Sequence, residues 1–142
     1  MKLYHGGVAG LRPGDVIEPH ETKRFDDCPT CQAGGDASHL PDRVFATPVR
    51  LYAKHFASKW GHGWLYSVEA VGELVRSEMD SFESYHAAMF RVVGVCEREV
   101  LLTMSERRRL MRLWTEADKS AGVYTPDPLF DLAWSQIVGG AV

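Results

Sequence analysis

The sequence predicts an α+β fold, on three observations. Two long stretches, 64–72 and 88–96, read as strands, the first alternating with the period of a strand buried on one face. Between the first third of the chain and these strands, Tyr52, Phe56 and Trp60 recur at one helical turn's spacing, with Ala53 and Ala57 beside them to permit close packing. Past residue 100 the pattern becomes helical again and stays so, which places the helices of the tail after the strands. A chain of 142 residues is enough for one core that buries about two-thirds of its unfolded surface without disulfides.

Composition narrows the class further. Hydrophobic residues make up 45% and charged residues 25%, the balance of an ordinary globular domain. A net charge of −3 supplies no electrostatic footprint for nucleic acid, so nucleic acid enters only as a substrate and not through bulk charge. No run approaches the roughly 18 apolar residues of a membrane span, and the first residues lack the apolar stretch of a signal peptide. Three cysteines, two close together and one in an apolar segment, make a poor disulfide framework and point to a reducing, cytoplasmic setting.

Taken in order, the chain opens on Leu3-Tyr-His5 followed by Gly6 and Gly7, a short strand that delivers a histidine to a turn. Glycines there let another group approach the backbone, because no Cβ stands in the way. The same residues also fit a buried histidine at a strand end with an ordinary turn after it. A turn-rich link through Gly14 leads to a brief extended stretch at 15–17.

From 18 to 42 the sequence holds Pro19, Pro29, Pro41, Gly34 and Gly35 with almost no apolar periodicity, and reads as one long loop. His20, Cys28, Cys31 and His39 fall in it as H-x7-C-x2-C-x7-H, two thiolates and two imidazoles that satisfy a tetrahedral zinc site. The outer spacings match no common zinc finger. A redox Cys-Pro-Thr-Cys pair and two incidental thiols are the competing readings.

Residues 43–47 form the next short strand, with Thr47 as N-cap and Pro48 as first residue of a helix reaching about Trp60. Gly61-His-Gly63 ends it, and the 64–72 strand follows. The segment 76–83 is polar, with Glu78, Asp80 and Glu83, and leads to the 88–96 strand. Thr103-x-x-Glu106 is a capping box opening a helix through about Ala117, with Leu110, Leu113 and Trp114 as its apolar stripe and Arg107, Arg108 and Arg112 on a wet face. A last helix spans about 127–138, with Leu129, Phe130, Ala133, Trp134 and Ile137 at helical spacing. This divides the chain into residues 1–100, which carry the 18–42 loop, and a helical extension over 101–142 packed on the same domain.

Tyr4-His-Gly6, Gly14-Asp15, Val44-Phe-Ala-Thr47 before an alanine-containing helix, Leu65-Tyr-Ser-Val-Glu69 with Gly72, and Arg91-Val-Val-Gly-Val95 follow one another in a telling order. In order and spacing the chain resembles the small NAD-dependent ADP-ribosyltransferases of the diphtheria-toxin and poly(ADP-ribose) polymerase branch, the rifampin ADP-ribosyltransferases above all. The resemblance covers residues 2–95 and leaves the cysteine loop interior and the C-terminal helices outside it. It implies a split pair of small antiparallel β-sheets around a cleft that takes NAD.

The same resemblance assigns roles. His5 would hold the nicotinamide ribose and Gly6 would offer backbone hydrogen bonds to the carboxamide. The family's tyrosine falls on Phe45, which keeps a π-face for nicotinamide but loses the hydroxyl, and its threonine falls on Thr47. A second aromatic eleven residues on lands on Phe56, with Tyr52 competing for the place. The family's carboxylate would fall near Ser77, so Glu78 or Asp80 takes the role only by a slip of one or three residues. The implied function is transfer of ADP-ribose from NAD to an acceptor, a small molecule, protein or nucleic acid. A catalytically inactive NAD-, nucleotide- or partner-binding module on the same fold is the alternative that Phe45 and the displaced acid favour.

Overall fold

The computed structural model describes residues 1–19, 42–59, 61–78 and 80–122. It divides the chain into two compact units, Met1–Leu101 and Leu102–Val142. The candidate zinc ligands His20, Cys28, Cys31 and His39, the side chain of Trp60 and the expected last helix lie outside the described residues.

The first unit is α+β, with two antiparallel sheets. Its elements are β1 (Leu3–Gly7), β2 (Val16–Ile17), β3 (Val44–Ala46), α1 (Arg50–Lys59), β4 (Trp64–Val71), β5 (Val75–Arg76), β6 (Tyr85–Ala87) and β7 (Met89–Glu97). One sheet has four strands in the order β1-β4-β7-β2 and the other has three in the order β3-β6-β5. The long pair β4–β7 forms the spine, with register shifts between Leu65 and Tyr66 and between Ser67 and Val68. Leu3, Tyr66, Val68, Phe90 and Val92 from the larger sheet and Val44, Ala46 and Ala87 from the smaller make one buried cluster. Each strand contributes alternate residues to it, as a half-buried strand does.

Helix α1 packs on the opposite face of β1 and β4. Ala53 and Ala57 of the helix meet Leu65 and Val100 in a second buried cluster. Small residues on both sides bring the backbones together: a Cβ at Gly6 would fall well inside contact distance of the Ala53 carbonyl oxygen and 2.6 Å from the Ala57 amide nitrogen. Gly63 is hemmed in the same way by the Ala57 carbonyl. Arg50 and Lys54 then tie the helix to Glu97 on β7, at 3.1 and 3.3 Å. The helix starts at Arg50 and not at Pro48. The Thr47 hydroxyl accepts from the Val49 N–H at 3.0 Å, a turn that precedes the helix.

Tyr66 pins the loop after β1. Its ring is fully buried, and its hydroxyl donates to the Val8 carbonyl and accepts from the Leu11 N–H at 3.1 Å. Burial pushes the phenol's pKa up. Tyr66→Phe keeps the ring and strands both loop groups, so it is expected to lower stability by about 1–2 kcal/mol. Urea unfolding checks this, and an unchanged midpoint would show that the loop does not depend on the hydroxyl.

In the second unit, α2 (Met104–Ser120) is opened by the capping box. Thr103 Oγ1 accepts from the Glu106 N–H and Glu106 Oε1 accepts from the Thr103 N–H, both at 3.0 Å. Leu110 is buried, while Arg108, Arg109 and Arg112 are exposed. Among the described residues no helix is long and apolar enough to cross a membrane.

Candidate functional site

Among the described residues one backbone bridge links the two sheets. Tyr4 on β1 and Thr47 just beyond β3 exchange both backbone hydrogen bonds, at 2.8 and 3.0 Å, as an isolated antiparallel bridge. Continuing that register would bring Gly6 opposite Phe45, but the ladder stops. The Phe45 carbonyl instead accepts from His5 Nδ1 at 2.7 Å. A carbonyl only accepts, so this bond puts the proton on Nδ1 and leaves the lone pair on Nε2. The ring of His5 lies over Gly7, where a Cβ would sit 2.9 Å from Nε2. Gly7 is therefore what makes room for the imidazole.

Backbone direction defines what Gly6 offers. Groups along a strand point alternately to its two edges, and Tyr4 points to Thr47, away from β4. Gly6 therefore turns its N–H and C=O to the same edge, toward β3, where the pairing has stopped. Among the described residues the N–H donates to no backbone acceptor and the C=O accepts from no backbone donor, and Gly6 is half-buried. A donor and an acceptor thus sit side by side on one edge, next to a histidine of fixed tautomer.

The remaining sequence-derived residues are placed as follows. Phe45 is half-buried on the face of β3 opposite Val44 and Ala46, and its ring meets His86 at 5.4 Å between centroids. Phe56 is half-buried and packs edge-on against Tyr52 at 4.9 Å. Phe45 and Phe56 make no ring contact with each other among the described residues. Thr47 is buried, and its hydroxyl donates to the Glu83 carbonyl at 2.6 Å as well as accepting from Val49. Its part is to hold the β1–β3 junction and the start of α1.

Tyr52 is also buried, stacked on Phe82 at 4.2 Å, with its hydroxyl donating to Asp80 Oδ2 at 2.9 Å. Asp80 accepts further bonds from Ser84 Oγ at 3.1 Å and from the Phe82 N–H at 3.2 Å. These three donors make Asp80 the knot of the β5–β6 connection and pin it to α1. Glu78 is exposed, and Ser77 beside it is buried with its N–H on the Ser84 carbonyl at 2.9 Å.

Two residues that the sequence did not single out join the site. His86 on β6 stands directly opposite Phe45. Its Nδ1 accepts from Arg43 Nε at 2.8 Å, and its carbonyl accepts from Arg43 Nη2 at 3.4 Å. Burial and then the Arg43 charge lower the His86 pKa, against a smaller opposing pull from Asp42. The neutral ring so favoured carries its proton on Nε2. Nothing in the sequence marks this pair, because β6 has only three residues and its pairing with β3 spans a long separation. Among the described residues no group of three His, Cys, Asp or Glu side chains is placed to hold a metal ion.

No protein-family model matches the chain, and no curated protein matches it.

Proposed function

We propose that this chain is an ADP-ribosyltransferase-like protein that binds NAD at the end of β1 and passes ADP-ribose to an acceptor, with release of nicotinamide. One observation carries the reading: Gly6 presents an N–H and a C=O together on an open strand edge, beside His5 held in one tautomer by the Phe45 carbonyl. A primary carboxamide has one acceptor oxygen and an amide donor, and it satisfies such an edge as a paired strand would. Phe45 offers a half-buried π-face at the same junction for a nicotinamide ring. His5 supplies a hydrogen-bonding group for the adjoining ribose, and positioning of this kind is the main demand of cleaving a nicotinamide–ribose bond.

The second reading, binding of NAD or another nucleotide without turnover, is favoured by a different observation. Asp80 is committed to Tyr52, Ser84 and the Phe82 N–H, and Glu78 is exposed on the connection beyond β5. A carboxylate that steadies developing positive charge on the ribose needs to face it. Calorimetric titration of the full chain with NAD, run beside an assay for free nicotinamide, separates the readings. Binding with release is the expected result for the transferase. Binding without release favours the inactive module, and no binding at all removes NAD from the account. Elemental analysis of the same sample is the direct check on a zinc site at His20, Cys28, Cys31 and His39, which together would hold one ion per chain as a structural clip.

A further inference from the structure

Arg43 is a half-buried guanidinium whose partners within the described residues are both on one histidine. Arginine in such a position ordinarily faces a carboxylate, because its five donors are matched by a charged acceptor. Here it spends Nε on an imidazole nitrogen and one Nη2 hydrogen on a carbonyl, and among the described residues no carboxylate forms an ion pair with it. Two bonds leave three of the five N–H groups for another acceptor.

The same contact sets what His86 presents. With Nδ1 accepting from Arg43, the neutral ring carries its hydrogen on Nε2, so guanidinium and imidazole are both donors. The ring's tilt is held by Phe45, its cross-strand neighbour in the narrow, non-hydrogen-bonded kind of pair. The clasp is therefore a rigid group of donors with the guanidinium charge, its Arg43 just before β3, two residues from Phe45, whose carbonyl is bonded to His5. Two residues along a strand span about 7 Å, a step comparable to that from a nucleoside's sugar to its phosphates.

We infer that Arg43 and His86 form an anion subsite of the ligand site at the end of β1, one that takes a phosphate group of a nucleotide ligand. The inference rests on the NAD reading for the identity of the whole ligand, but not for the chemistry of the subsite. A cationic clasp beside the reacting sugar favours the anionic part of a nucleotide. It does nothing for positive charge on the ribose.

The test uses the full chain and three probes, inorganic pyrophosphate, nicotinamide and NAD, each titrated by calorimetry at one fixed ionic strength. Arg43→Gln is expected to weaken pyrophosphate and NAD by at least about tenfold, the loss of one charge-assisted contact, and to leave nicotinamide unchanged. Arg43→Lys keeps the charge without the fork and is expected to fall between the two. In the unmodified protein, pyrophosphate should move the ring resonances of His86 and nicotinamide should not, a readout that stands even where a variant fails to fold. Unmoved His86 resonances, or equal pyrophosphate affinity in Arg43→Gln, overturn the subsite. If NAD still binds in that case, the site at Gly6 and His5 survives alone. Arg43-dependent pyrophosphate binding without NAD binding keeps the subsite and removes the NAD reading.

Discussion

Gly6→Ala is expected to cost roughly 3 kcal/mol, a large share of the 5–15 kcal/mol that holds a domain of this size together. The reason is packing and not backbone conformation, since Gly6 is absent from the glycines with positive φ. One methyl group would meet the Ala53 carbonyl oxygen and the Ala57 amide nitrogen, both main-chain atoms inside α1. Neither can swing aside as a flexible side chain would, so β1 and the helix must separate along their whole seam. That seam holds Ala53, Ala57 and Leu65 out of water. Gly10→Ala serves as the contrast: its φ of +92° strains an alanine, but nothing lies within 4 Å of the added carbon. A single left-handed residue costs about 1–2 kcal/mol. Urea unfolding of both variants should therefore order them clearly, with Gly6→Ala the worse. A Gly6→Ala midpoint at or above that of Gly10→Ala would mean that the helix is not seated on β1 in this way.

This glycine also shows how far the sequence could be read. Consecutive glycines after His5 signal that something approaches the backbone closely, and something does. What approaches Gly6 on its open face is α1, and what occupies the space over Gly7 is the imidazole of His5 itself. A one-dimensional pattern reports the missing Cβ and not the identity of its neighbour. The unpaired edge of Gly6 lies in the plane of the sheet, at right angles to that packing, and follows only from knowing which way Tyr4 bonds.

Elements with many turns of a period were legible. β4 and β7 are long apolar-rich runs of eight and nine residues, and α2 announces itself through the Thr103–Glu106 box. β5 and β6 were not legible, since two and three residues hold no period to detect. β6 depends on long-range pairing with β3 and β5 on pairing with β6, and so does everything they carry. His86 gains its meaning only from the register that sets it against Phe45. Asp80 could be named as an acid from its position in the chain, but its three donors come from α1 and from the β5–β6 connection. Such contacts tie Asp80 to α1 and to its own connection, and no spacing rule records them.

His5 separates structure from chemistry most sharply, because its two nitrogens have different tasks. Nδ1 joins β1 to β3 through the Phe45 carbonyl, at the place where the sheets part. The second nitrogen is the one the proposed function requires for the ribose. His5→Ala removes both and is expected to reduce nicotinamide release at least about 100-fold, or to weaken NAD binding where no release occurs, along with some loss of stability. His5→Asn divides the two effects. An asparagine amide can stand near the Nδ1 position and donate to the same carbonyl, but it has nothing at the far side of the ring. Stability measured in urea should thus return toward that of the unmodified protein while release stays lost. If His5→Asn instead recovers release together with stability, the histidine is a clasp between sheets and no more. NAD consumption unchanged in both variants would place the chemistry elsewhere in the chain. The outcome turns on one hydrogen bond, since the Phe45 carbonyl that fixes the tautomer also holds the β1 edge apart from β3, where Gly6 would otherwise be paired.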